Sequence, residues 1–188
     1  MKIILASRSP RRRELLGRLY PDFEIITCEA DETLPRGMHP RDGVVMLAER
    51  KGDAVLGCVP RDALVISSDT LVEADGIALG KPKDETDARR MLSALSGRAH
   101  NVHTGVAVHY RGRVFSGVAT TAVTFREISD EEISEYIATG EPMDKAGAYG
   151  IQGAGGRFVL GYDGDFDTVV GLSLSLTREL IGRAVKDD

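Results

Sequence analysis

The run HNVHTGVAVHYRGRVFSGVATTAVTFREI, residues 100–128, constrains the fold more than any other stretch. It predicts two long strands turning at Arg111-Gly112-Arg113. A second hairpin is expected in TLVEADGIALGKP (70–82), turning at Ala74-Asp75-Gly76. Strands joined by short hairpins are antiparallel, so a purely parallel sheet is excluded. Shorter strands are expected at 2–6, FEIITC (23–28), ALVISSD (63–69) and FVLGY (158–162). Helices are interspersed. One spans 10–19 with Leu15, Leu16 and Leu19 on one face, and one spans 41–57 with Val44, Leu47, Ala48, Lys51 and Val55 at helical spacing. DETDARRMLSALSG (84–97) opens on a capping Asp and carries the stripe Ala88, Met91, Leu92, Leu95. SDEEISEYIATG (129–140) has a capping box, Ser129 with Glu132, and ends at Gly140, and a last helix is expected from about 171 to 186. Strands and helices mixed in this way predict an α/β fold, a mixed β-sheet with flanking helices. No repeat or low-complexity linker divides the 188 residues, which read as a single domain, 1–188.

The net charge of −5 argues against a general nucleic-acid binder. Cys28 and Cys58 lack ligand spacing and read as two reduced thiols of a cytoplasmic protein. Ile3 to Ala6 is too short for a signal-peptide core, and no run approaches a membrane span.

Against that acidic background, SRSPRRRELL (7–16) is an anomaly. Ser9 and Pro10 suit a helix start, but a helix N-terminus carries partial positive charge, and three arginines follow at once. Leu15, Leu16 and Leu19 centre on the direction that Arg12 also takes, so Arg12 points inward at the helix mouth. An inward arginine is costly without an anion. Ser7, Ser9, the free amides of the first turn and the arginine forks all suit a polyphosphate. The alternative is a solvated charged turn with Glu14 and Glu49 as partners. The segment lacks GxxxxGK[ST] and is no Walker A loop.

Other residues carry chemistry of the same kind. Asp69, at the end of a buried strand, suits metal binding or proton acceptance from water, or simply ends a strand in a turn. Lys51 lies on an apolar helix face, so it either snorkels out or meets an anion. Lys81 in Gly80-Lys81-Pro82 is a fixed point charge. EPMDKAGAYGIQGAGG (141–156) offers close backbone approach, Tyr149 for stacking, and Gln152 with a donor and an acceptor for a base edge. Glu32 and Glu141 are further acids, and the set Glu32 and Asp69 suits Mg²⁺. His103 and His109 read as surface strand positions.

Taken in order, LASRSPRRRELL, LAERK, SSDT, GKP, LSG with HNVHTGV, and EPMDKAGAYGIQG resemble the Maf family of nucleoside triphosphate pyrophosphatases, over residues 3 to about 176. The resemblance implies two lobes around a cleft, a fold related to inosine triphosphate pyrophosphatases, and hydrolysis of nucleotides to the monophosphate and pyrophosphate with a divalent metal, Mg²⁺ or Mn²⁺. Arg11, Thr70 and Gln152 match the branch acting on dTTP and UTP. The resemblance further implies Asp69 as proton acceptor, places Ser7, Arg12, Glu32, Lys51 and Lys81 at phosphate- and metal-handling positions, and suggests a homodimer. Two stretches depart from the pattern: AERKGD after the second helix's apolar run, and GDFDTVVGLSLS (164–175), around Asp167, Thr168 and Ser173. Two readings of other classes stand beside the enzyme: a nucleotide-binding regulator of septum formation without turnover, and a nucleotidyltransferase, whose usual GxG start is missing.

Overall fold

The computed structural model describes residues 1–186. Its strands are β1 (Ile3–Leu5), β2 (Glu24–Ile25), β3 (Leu64–Ala74), β4 (Ile77–Leu79), β5 (Ala99–Tyr110), β6 (Arg113–Phe125) and β7 (Val159–Asp163). Its helices are α1 (Pro10–Gly17), α2 (Pro40–Asp53), α3 (Glu85–Leu95), α4 (Asp130–Ala138), α5 (Phe166–Val170) and α6 (Leu174–Lys186). The strands form one sheet in the order β2-β1-β3-β5-β6-β7, with β4 attached to β3. β1 is parallel to β2 and β3, and every other pairing is antiparallel. The sheet is therefore mixed, as the hairpins required. The long hairpin pairs from Ala99↔Thr124 to Tyr110↔Arg113, and Arg111 and Gly112 turn it in the left-handed region at φ 49° and 76°.

Successive β-residues point to opposite faces. Ser67 donates to the Ala48 carbonyl of α2, whereas Ser68 donates to the Gly171 carbonyl between α5 and α6. So α2 lies on one face and α5–α6 on the other. The second face holds two apolar clusters. Leu15, Leu16, Leu64, Ile66, Val106 and Leu180 join α1 and α6 to one end of the strands. Val72, Leu92, Leu95, Val102, Tyr136 and Phe158 join α3 and α4 to the other end. Each fully buried leucine contributes roughly 1.5–3 kcal/mol to holding its layer in place. Between the clusters, β3 presents Ser68 and Thr70 instead of apolar side chains, and a cleft opens there.

Several elements differ from expectation. β3 does not end at Asp69, because β5 pairs with it continuously from Val65 to Glu73. What stops beside Asp69 is its other neighbour: β1 pairs only with residues Leu64–Ile66, and β4 only with Val72–Ala74. Residues 67–71 thus have an open edge facing the cleft. β2 shrinks to two exposed residues because three-residue β1 gives it nothing more to pair with. The helix expected over 10–19 stops at Gly17, and the one over 41–57 runs from Pro40 to Asp53, followed by a 3-10 turn at Leu56–Cys58. The last helix, expected from about 171, begins at Leu174, and a short helix that was not expected, α5, precedes it and ends at Gly171 with φ 127°.

His103 and His109 are not surface residues; they are 3% and 5% exposed. α2 covers their face so closely that a Cβ on Gly105 would lie 2.3 Å from the Val44 carbonyl oxygen. Beneath it His103 Nε2 meets Glu73 Oε2 at 2.5 Å and Nδ1 meets Thr120 Oγ1 at 2.8 Å. The same close approach carries Lys51 of α2 over the middle of β3. No helix among the described residues is long and apolar enough to cross a membrane, and Cys28 and Cys58 are free and exposed.

Candidate active site

Every residue singled out for phosphate, metal or base chemistry lines one cleft of about 1170 Å³. Ser7, Arg11 and Arg12 come from the turn between β1 and α1, Glu32 from the loop before α2, and Lys51 from α2 itself. Asp69 and Thr70 come from the open edge of β3, Lys81 from the loop after β4, and Gln152 from the glycine-rich segment after α4. Six cationic side chains line the cleft against five anionic ones, in a chain whose net charge is −5. The cleft is the place where the overall sign reverses.

Arg12 does point inward. Ser9 caps α1 by accepting from the Arg12 amide, and Pro10 occupies the first turn, where its missing N–H costs nothing. The Arg12 side chain is 14% exposed. Its Nε donates to the Gly171 carbonyl at 2.8 Å, one Nη reaches Ser7 Oγ at 3.5 Å, and the other reaches Thr70 Oγ1 at 3.3 Å. That second nitrogen also lies 3.9 Å from Asp69 Oδ1. Burial pushes the guanidinium below its ordinary value, and the Asp69 carboxylate pulls the other way. The solvated alternative fails: Glu14 pairs with Arg18 at 2.9 Å, and Glu49 accepts from Ser116.

Lys51 meets an anion, and in fact two. Its Nζ is 2.5 Å from Asp69 Oδ1 and 2.8 Å from Glu32 Oε1. The hydrogen bond from Lys51, against the opposing effect of partial burial, holds the Glu32 carboxyl below the usual range. Two carboxylates thus converge on a single cation position. A divalent ion fits these donors if water and substrate oxygens complete its shell, as Mg²⁺ prefers. Among the described residues no group of three or more His, Cys, Asp or Glu is arranged to hold a metal without such help.

One expectation needs correction, and one further acid finds another place. Tyr149 is not available for stacking: it is 5% exposed, packs edge-on against Phe125 and His100, and its hydroxyl is 2.9 Å from His100 Nε2. Glu141 is not part of the Asp69–Glu32 pair; its carboxylate accepts from the Tyr136 hydroxyl and the amides of Ala154 and Gly155. Gln152, Lys81 and the half-buried Arg11 do stand open to the cleft.

Sequence reasoning missed the supports. The Gly171 carbonyl, which anchors Arg12 and Ser68, lies in the departing stretch, where only the lone glycine of VVGL hinted at a break. Thr104 bonds Thr70 at 2.9 Å and donates to the Thr168 carbonyl. The signal for Ser68 and Thr104 was a hydroxyl inside an otherwise apolar strand, which must find a partner when buried.

A family model described as Maf-like protein matches residues 2–184. The chain is 51% identical over 182 residues to the dTTP/UTP pyrophosphatase of Moorella thermoacetica, covering 96% of this chain and 93% of that protein. It is 50% identical over 188 residues to the dTTP/UTP pyrophosphatase of an Anaeromyxobacter species, covering 97% and 89%. Among solved structures, the Staphylococcus aureus Ham1 protein superimposes with a TM-score of 0.51 over 99% of this chain and 95% of that chain, at 16% identity. This last likeness concerns the fold alone.

Proposed function

The chain belongs to the Maf family, and from that premise we propose that it is a nucleoside triphosphate pyrophosphatase acting on dTTP and UTP. The observation that carries the chemistry is the meeting of Asp69, Lys51 and Arg12 at the open edge of β3, beside the first turn of α1. A triphosphate lies along Ser7 to Arg12, where free amides and the arginine fork receive its oxygens. Asp69 accepts a proton from water, and the water oxygen bonds to the α-phosphorus. The bond from that phosphorus to the bridging oxygen breaks, giving the nucleoside monophosphate and pyrophosphate. Arg12, Lys51 and Lys81 meet the charge of the departing pyrophosphate. Asp69 and Glu32 would hold Mg²⁺ or Mn²⁺, which when bound neutralises phosphate oxygens. Gln152 reads the O4 and N3–H edge shared by thymine and uracil, while Arg11 and Thr70 shape the pocket.

The test is phosphate release from each nucleoside triphosphate with Mg²⁺ or Mn²⁺, with and without added inorganic pyrophosphatase. Release that needs the coupling enzyme and is strongest for dTTP and UTP is expected. Asp69→Asn should lower kcat by a factor on the order of 10²–10⁴, the range of a lost proton acceptor, with the circular-dichroism spectrum unchanged. Near-normal turnover in that variant would remove Asp69 from the role.

A further inference from the structure

Gln152 stands on an irregular segment of the cleft wall. It is exposed, and 3-10 turns flank it at Ala146–Ala148 and Ala154–Phe158. Its position must come from the backbone around it. That backbone is tied to two side chains from the end of α4 and the turn beyond. Tyr136, fully buried, accepts from the Gly150 amide at 3.1 Å and donates to Glu141 Oε1 at 2.8 Å. Glu141 Oε1 also accepts from the Gly155 amide at 3.3 Å, and its Oε2 accepts from the Ala154 amide at 3.0 Å. The two residues therefore grip the segment on both sides of Gln152.

The grip leaves no slack. A Cβ on Gly153 would lie 2.3 Å from Glu141 Oε1, and one on Gly155 would lie 2.5 Å from the Tyr136 hydroxyl. The glycines are moulded around the pair. Protonation states suit it as well. Burial pushes the Glu141 carboxyl up, but the Ala154 amide, the Tyr136 hydroxyl and the Gly155 amide outweigh it and hold the group below the usual range. Burial pushes the Tyr136 phenol up, so it keeps its proton to donate. The Gly147 amide donates to the Gly80 carbonyl at 3.0 Å, which fastens the start of the same segment to the loop carrying Lys81.

We propose that Glu141 and Tyr136 are positioning residues for base selection: they clamp the 150–155 backbone, and with it Gln152, in the shape that admits a pyrimidine edge. The proposal rests on the reading that this segment faces the base. Tyr136 does not line the cleft, and the Glu141 carboxylate is engaged by Tyr136 and the loop amides. Three donors occupy Glu141, which separates it from the Asp69–Glu32 pair in role.

Glu141→Gln, Tyr136→Phe and Gln152→Ala are compared with dTTP, dCTP and dGTP as substrates. A carboxamide offers one acceptor oxygen where the carboxylate offers two, so Glu141→Gln leaves an amide of Ala154 or Gly155 without a partner. The expected result for the two clamp variants is a dTTP-over-dCTP preference lowered about tenfold, with KM rising more than kcat falls. Amide hydrogen exchange measured on the same variants should quicken across 150–155 and stay protected in β5 and β6. An unchanged preference in both clamp variants overturns the proposal. So does a collapse of kcat that is equal for all three nucleotides, which would place Glu141 in the chemistry. Gln152→Ala separates the two readings. If it leaves preference intact while the clamp variants alter it, the assignment of Gln152 falls and the clamp stands, acting through the loop backbone.

Discussion

His100 gives the fold an acid sensitivity that can be calculated in advance. It lies on β5 at 4% exposure, with Phe125 and Tyr149 packed edge-on at 4.9 and 5.5 Å. Nε2 meets the Tyr149 hydroxyl, while Nδ1 finds no hydrogen-bond partner among the described residues. Burial, aided by the nearby Arg98 charge, pushes the imidazole from 6.5 down to about 4. Below about pH 6.5 the unfolded chain takes up a proton that folded His100 refuses until about pH 4. Stability is therefore complete above the unfolded value and is lost as pH falls through this window. The loss from this one group is about 1.4 kcal/mol at pH 5.5 and about 2.5 kcal/mol at pH 4.5. His109, also lowered by burial, adds a loss of the same sign. Glu132, held at about 2 by the hydrogen bond from Arg126, adds a loss of the same sign that begins only as pH nears the unfolded value of 4.5, and it is common to both proteins compared below. Urea unfolding of the wild type and His100→Gln from pH 7.5 to 4.5 isolates the His100 share. The curves should converge by about 2.5 kcal/mol as pH falls, because the amide cannot titrate. Parallel curves would refute the argument, as would an NMR titration placing His100 near 6.5.

Two further outcomes are expected. Arg12→Lys keeps the charge but cannot hold the Gly171 carbonyl, Ser7 and Thr70 at once, so kcat/KM for dTTP should fall on the order of 10²-fold; a loss under threefold would mean that charge alone suffices. Gly105→Ala forces a methyl against the Val44 backbone of α2, which should cost about 2 kcal/mol in urea unfolding; a cost below about 0.5 kcal/mol would show that α2 shifts freely over the sheet.

The elements most legible in the sequence were those whose own side chains specify them. The stripe Ala88, Met91, Leu92 and Leu95 is buried throughout, Ser129 and Glu132 form the expected capping box, and the 99–125 hairpin pairs end to end. The failures share one cause, which is that a neighbour decides the outcome. FEIITC has the pattern of a strand, but the length of β1 limits its pairing. His103 and His109 are buried because glycines at 52 and 105 let α2 settle onto β5, and that contact joins residues far apart in the chain. The sequence pattern places Asp69 at a strand end, yet it sits mid-strand; the end that exposes it belongs to β1. Its side chain nevertheless reaches the cleft, because an unpaired edge serves as well as a terminus.

The three arginines after Ser9 illustrate how a local conflict can mark a site. Within α1 they oppose the helix dipole, and no acid in the first turn relieves them. Tertiary structure does not dissolve the conflict. It buries Arg12 and supplies one acid, Asp69, at 3.9 Å, which Lys51 already engages at 2.5 Å. Glu32, the next acid, is also held by Lys51. At the centre Arg12 and Lys51 are matched by Asp69 and Glu32, and the cleft's positive excess comes from its rim, where half-buried Arg11 and exposed Lys81 stand. A desolvated guanidinium whose nearest carboxylate is 3.9 Å away and already shared with Lys51 is expensive to keep. Helix amides and arginine forks both become favourable in the presence of a bound polyanion. The sequence thus tolerates at α1 an arrangement that weakens the free protein, and the ligand that removes the penalty is the one the cleft is charged to bind.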